Sequence, residues 1–303
     1  MQFYGVDENE CPYLTIEKRG KLTIYHLTFD SLLEIERFLR SNPPVNDRSF
    51  PEMMSIRADE AFAGPPLETA ISYCSGGYQE GLQNFMELAK PLEAVTRANY
   101  KQRSVNPAIV GSRPNVPAYI AGEPKNMYRL TRVVEKKVIR IYMNLSYNRN
   151  TTEAQIQTRG ALMMNLIQIL EQNGYIVDFR VFTASIEYSE LFLCEIMLKK
   201  PGRRMEVAKS YYPMCGKAFL RRVISRLKES MPFKMNWGMT YGKVASETLI
   251  REIMRVNDKS IYVGTPQEMG ISGTDIRLDA DAFLNRLHLS DRIRVPKYYG
   301  EET

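Results

Sequence analysis

The sequence predicts an α/β sandwich with a mostly parallel sheet. Three observations carry this. From about Arg129 onward, strand-like and helix-like segments alternate nearly to the end of the 303-residue chain. KKVIRIYMNLS, residues 136–146, has apolar residues on both faces, as an interior strand of a covered sheet requires. PMCGKAFLRRVISRLKESMP, residues 213–232, places Phe219, Leu220, Val223, Ile224 and Leu227 on one side at helical spacing.

Taken in order, KLTIYHLTF alternates like a strand, and SLLEIERFLR is helical, with Ser31 as its cap. SNPPVNDRSFPEMM then interrupts regular structure, and YQEGLQNFMELAKPLEAVTRANY reads as a helix after the turn CSGGY. These elements make residues 1–100 an N-terminal α/β extension. Residues 101–128 hold four prolines and two glycines. They should be irregular, yet Ile109, Val110, Val116, Tyr119 and Ile120 call for burial, so a strap packed on the core is expected. The main domain, 129–303, opens with the strand above. Its next helix starts with Thr152 and Gln155 at capping-box spacing and stops at Asn173–Gly174. YIVDFRVFTAS, ELFLCEIMLKK and SIYVGTP read as strands, while ASETLIREIMRV and DADAFLNRLHL read as helices.

No apolar run approaches the roughly 18 residues of a membrane span, and the start, MQFYGVDENECPY, is too polar for a signal peptide. Cys11, Cys74, Cys194 and Cys215 are scattered without a C-x-x-C pair, which fits reduced thiols in a cytoplasmic protein. The net charge of +6 is unevenly placed. Residues 199–234 carry eleven Lys or Arg against Glu206 and Glu229, an excess of nine, so the remainder stands at −3. Within that segment Lys217, Arg221 and Lys228 share one helical stripe and should reach solvent or a partner. Such a patch suits phosphate, and Trp237, between Lys234 and Lys243, adds an aromatic that could stack on unpaired bases. A solvated helix and a loop folded over the sheet are the plainer accounts.

Catalytic material is sparse. His26 and His288 are far apart in sequence, and neither G-x-S-x-G nor H-E-x-x-H occurs. Lys217 beside Cys215 could lower its thiol pKa, but no base partner is apparent. CSGGYQEG reads as a turn before a helix as readily as an anion loop.

NLSYN, Asn144 to Asn148, follows the central strand at the place where open α/β sheets bind ligands. It lacks the glycines of a phosphate loop. The order strand, polar loop, long helix with TRGALMMNLIQILEQNGY, paired strands, then YYPMCGKAFLRRVISRLKES resembles a von Willebrand factor A-type domain over roughly residues 129–290. It is particularly similar to divergent versions carried by bacteriophages, and GSRPNVPAYIAGEP upstream also looks like those proteins. The resemblance implies a Rossmann-type three-layer sandwich. It also implies a metal-ion-dependent adhesion site opening with D-x-S-x-S, whose positions fall on Asn144, Ser146 and Asn148. The family's later aspartate has no counterpart in YVGTPQEMG, which offers Thr265 and Glu268. Without the carboxylate that repays dehydration of a divalent ion, the site is expected to be vestigial. The expectation is therefore a non-enzymatic protein-interaction module of phage type in the cytoplasm of a host cell. It would have a protein partner, no cofactor and no membrane contact. Nucleic-acid binding through residues 199–234 is the alternative.

Overall fold

The computed structural model describes residues 11–42, 54–92, 105–111, 113–130, 137–231, 242–257 and 260–289. The chain begins with β1 (Leu14–Arg19), β2 (Leu22–Phe29) and α1 (Leu32–Ser41). The one-turn helices α2 (Met54–Arg57) and α3 (Glu60–Ala63) precede α4 (Leu67–Gly76) and α5 (Gln79–Ala89). A small unit follows: β3 (Val105–Ala108), β4 (Arg113–Pro114), α6 (Val116–Ile120) and β5 (Met127–Leu130). β6 (Val138–Asn144), α7 (Glu153–Gln172), β7 (Ile176–Glu187) and β8 (Glu190–Lys199) come next. After α8 (Val207–Cys215), a π-helical turn, Phe219–Ile224, runs into α9 (Ser225–Glu229). The described chain ends with β9 (Lys243–Val244), α10 (Glu247–Ile253), β10 (Ser260–Val263) and α11 (Ile276–Arg286).

The main sheet runs β1-β2-β8-β7-β6-β10, with β9 paired onto β7. Period-two patterning builds its core. Tyr25, Leu27, Phe29, Val177, Phe179, Val181, Phe192, Cys194 and Ile196 point to one face, beneath α1, α4, α7, α8 and the 219–229 helix. The alternate residues Ile24, Phe182, Ala184, Leu191 and Leu193 point to the other, where Ile250 and Ile253 of α10 cover them. Helices on both faces make the α/β sandwich, much thicker on one side. Capping follows the sequence: the Ser31 side chain accepts from Glu34 N, and Thr152 with Gln155 forms a complete capping box on α7.

Three expectations change. The sheet is mixed rather than mostly parallel: β2/β8, β6/β7 and β6/β10 are parallel, and β1/β2, β7/β8 and β7/β9 antiparallel. Only Tyr188 and Ser189 separate β7 from β8, and so short a link permits only an antiparallel hairpin. The N-terminal elements are joined to the main sheet, because β2 is apolar on both faces and pairs along seven residues with β8. The third concerns the strap. β3, β5 and β4 satisfy one another in a separate three-stranded sheet, and among the described residues of 101–128 only Ala118 is buried. Ile109, Val110, Val116, Tyr119 and Ile120 are instead 55–79% exposed. CSGGY closes α4, and Gly77, at φ +81°, lets α8 approach so closely that a Cβ would stand 3.0 Å from that of Ala208. The single helix expected over 213–232 is broken at Gly216, with Pro213 inside α8.

Candidate functional site

The loop after β6 is held by its own side chains. Asn144, buried at the strand end, accepts through Oδ1 from Ser146 N at 2.9 Å. Ser146 Oγ lies 3.1 Å from Thr183 Oγ1, accepts from Ala184 N at 3.1 Å and thereby ties the loop to β7. Asn148 Oδ1 accepts from Asn150 N and Thr151 Oγ1 at 3.1 and 3.2 Å. The loop oxygens expected to serve an ion are thus engaged by loop and strand donors. The family resemblance implies a divalent metal, and the donor set fits one poorly: Asn144, Ser146 and Asn148 bring no negative charge. Glu268 Oε2 is taken by Thr265 N at 2.7 Å. Among the described residues no group of three His, Cys, Asp or Glu is placed to hold a metal.

Positive charge stands at this strand end instead. Arg159, on the second turn of α7, is fully buried, and its Nη1 donates to the carbonyls of Asn144 and Gly264, both at 2.7 Å. It thereby clamps the carboxyl ends of the parallel neighbours β6 and β10. Burial pulls its pKa down to about 10, as expected for a guanidinium whose bonded partners are neutral oxygens. Its sequence signal is a lone arginine among the apolar residues of TRGALMMNLIQIL. The loop after β10 closes over the start of α7. Gly273, at φ +76°, brings its backbone so near that a Cβ would stand 2.7 Å from Gln155 N.

The basic stripe is not a free surface. Lys228, expected in solvent, is buried, with Nζ 2.6 Å from Ser185 Oγ and 5.0 Å above the Phe192 ring. Burial lowers its pKa to about 7. A lysine so tuned beside a hydroxyl has the chemistry of a base–nucleophile pair, but at 7% exposure each the two groups are closed to substrate as they stand. Arg221 stacks on Phe62 at 3.8 Å, lies 5.4 Å from the Tyr147 ring and donates to the Phe62 carbonyl. Lys217 donates to Ala61 O at 3.0 Å and pairs with Glu153 at 3.1 Å. Two neighbours to which the sequence assigns no role complete this contact. Arg222, buried, donates to the carbonyls of Ser55, Ile56, Ala58 and Gly64 at 2.8–3.2 Å. Glu229 accepts from the amide and the hydroxyl of Ser55. Lys217, Arg221, Arg222 and Glu229 thus direct charge to the backbone of residues 55–64. The reason is plain: short helices α2 and α3 leave carbonyls that need donors.

Trp237, with Phe233, Lys234 and Tyr241, lies outside the described residues. His26 Nε2 lies 3.5 Å from Glu195 in a pair on the sheet, while His288 follows α11 at φ +54°. All four cysteines are free and buried. Cys215 does not have the lowered pKa that Lys217 suggested: burial raises its thiol well above the ordinary value. No helix among the described residues is long and apolar enough to cross a membrane.

Comparison with curated proteins and with solved structures returns no match. A protein family does match, described as Domain of unknown function (DUF7192), over residues 8–291. The matched span takes in the N-terminal strands, the small sheet and the loop after β6. The chain therefore belongs to the DUF7192 family.

Proposed function

We propose that the chain is a protein-interaction module on a divergent von Willebrand factor A-like fold of phage type, acting in the cytoplasm of a host cell. The observation that carries the binding role is the exposure of Ile109, Val110, Val116, Tyr119 and Ile120 on the unit formed by residues 105–130. Single exposed apolar residues are ordinary, but five within twelve residues, with a tyrosine among them, have the composition of a contact surface. The central strand, polar loop, long helix and antiparallel pair support the fold assignment. The satisfied oxygens of Asn144 and Asn148 support a vestigial ion site. The nucleic-acid alternative cannot draw on Lys217, Arg221 and Lys228, which are bound within the molecule.

The test is the double variant Tyr119→Glu, Ile120→Glu. Because both side chains face solvent, its unfolding free energy should stay within about 0.5 kcal/mol of wild type. Retention of protein partners from host extract treated with nuclease should fall to background. Unchanged retention by a folded variant would refute the reading. So would a loss of partners caused by the nuclease in the wild type.

A further inference from the structure

The contact between residues 55–64 and the 217–229 helix directs positive charge at neutral oxygen. Arg222 gives its terminal nitrogens to the carbonyls of Ser55, Ile56, Ala58 and Gly64, and Arg221 donates to the Phe62 carbonyl while stacking on that ring. These bonded partners are all uncharged. Arg222, at 2% exposure, is also left incomplete: its Nε has no hydrogen-bond partner among the described residues. Lys217 divides itself between Ala61 O and Glu153, and Glu229 holds the amide and hydroxyl of Ser55. Little apolar packing backs these bonds. α2 and α3 are single turns, too short to persist alone. Ile56, Arg57, Asp59, Glu60 and Ala61 are exposed, and the buried residues of the segment are Ser55, Ala63 and Gly64. The segment ends at Gly64, φ +79°, where Pro65 and Pro66 lead into α4. A glycine beside two prolines makes a hinge against a stiff stop.

Segments with few buried apolar contacts open at low cost. A phosphate offers a guanidinium charged oxygens where residues 55–64 offer neutral ones, and charge-assisted hydrogen bonds are roughly twice as strong. The segment carries Arg57 against Asp59 and Glu60, so its departure also removes negative charge from the helix it covers. We propose that residues 55–64 are a displaceable cover over a phosphate-binding face made by Lys217, Arg221 and Arg222, whose ligand is a chain of phosphates such as a single-stranded nucleic acid or polyphosphate. In the closed form the cations are spent on the cover, and affinity is reduced in proportion to the fraction that is open. Lys228 is directed to Ser185 on the sheet and takes no part. The face is independent of the 105–130 surface, so the Tyr119→Glu, Ile120→Glu variant should bind phosphate chains as wild type does.

The experiment uses the full chain. Saturating wild type with inorganic polyphosphate or a single-stranded oligonucleotide should speed hydrogen exchange in residues 55–64 and leave β7 and β8 unchanged, since ligand and cover compete for one face. Gly64→Ala should open the cover, because its Cβ would stand 3.1 Å from that of Ala218 at a φ that side chains rarely adopt. This variant should bind the tighter probe about tenfold more strongly than wild type. Adding Lys217→Gln and Arg221→Gln should cancel the gain, and affinity for the oligonucleotide should fall with salt at a log–log slope of about −0.7 per contact. If Gly64→Ala does not fold, Ser55→Ala replaces it, removing one of the two bonds to Glu229, with effects of the same sign. Tighter binding of the oligonucleotide than of polyphosphate of equal charge identifies nucleic acid as the ligand; equal binding identifies the phosphate chain alone. Exchange in residues 55–64 that is unchanged by either probe would overturn the proposal, as would an opened variant that binds no more tightly than wild type.

Discussion

Replacing Lys228 with methionine should stabilise the protein at neutral pH, although it removes a hydrogen bond. The folded lysine gives up its proton near pH 7, whereas the unfolded chain keeps it until the ordinary value of 10.5. Between those values the unfolded state binds more protons, so wild-type stability rises with pH from about 7 to about 10.5. Below that window both states carry the proton and the burial penalty is complete. At about 1.36 kcal/mol per pH unit, the window corresponds to about 5 kcal/mol. Methionine has similar length, keeps the contact with Phe192 and carries no charge. Against this, Ser185 Oγ loses the donor that reached it at 2.6 Å, a cost of about 1–3 kcal/mol. The burial penalty is the larger of the two, so the net at pH 7 should be a gain of up to about 4 kcal/mol, less the contribution of the other contacts of Lys228. Adding Ser185→Ala should recover part of the loss. Urea unfolding of wild type, Lys228→Met and the double variant at pH 7, 8.5 and 10 reads this directly, with the slope checked for constancy. The advantage of methionine should shrink as pH rises, because wild type sheds its penalty. A methionine variant less stable than wild type at pH 7, or an advantage that does not change with pH, would refute the reasoning.

Arg222→Met should remove the donor shared by the carbonyls of Ser55, Ile56, Ala58 and Gly64, costing roughly 2–4 kcal/mol. Hydrogen exchange should show lost protection concentrated in residues 54–64; protection lost evenly across the sheet would count against the docking role. Magnesium should produce no saturable shift in melting, since the oxygens of Asn144 and Asn148 already accept from the loop. A saturable shift that disappears in Asn144→Ala would restore the ion site.

Much of the fold was legible because local rules and tertiary packing agree. The caps at Ser31 and Thr152 form within four residues, and the strands with apolar residues on both faces could only lie inside a sheet. The loop after β6 was legible for the same reason: Asn and Ser side chains close such turns locally. Strand direction was not. Pattern alone is silent on whether β7 and β8 run together or opposed, and the two-residue link between them is decisive only once both strands are known to pair.

The basic segment divides most clearly into what sequence decides and what it leaves open. Composition and periodicity by themselves determined that residues 213–229 form a helical region with an apolar side and a concentration of positive charge. The family resemblance, rather than composition, implies an aspartate at the place where the sequence has an uncharged Asn144. Only the tertiary structure decided where the charges went. Lys228 lies over Phe192, Arg222 among four carbonyls, and Arg159 between two strand ends. The physical reason is that carbonyls left over at the ends of short helices and strands are invisible in a sequence, since they belong to every residue alike. Long cationic side chains reach them from elements far away in the chain, so exposure expected of a charged stripe gives way to burial wherever such acceptors collect.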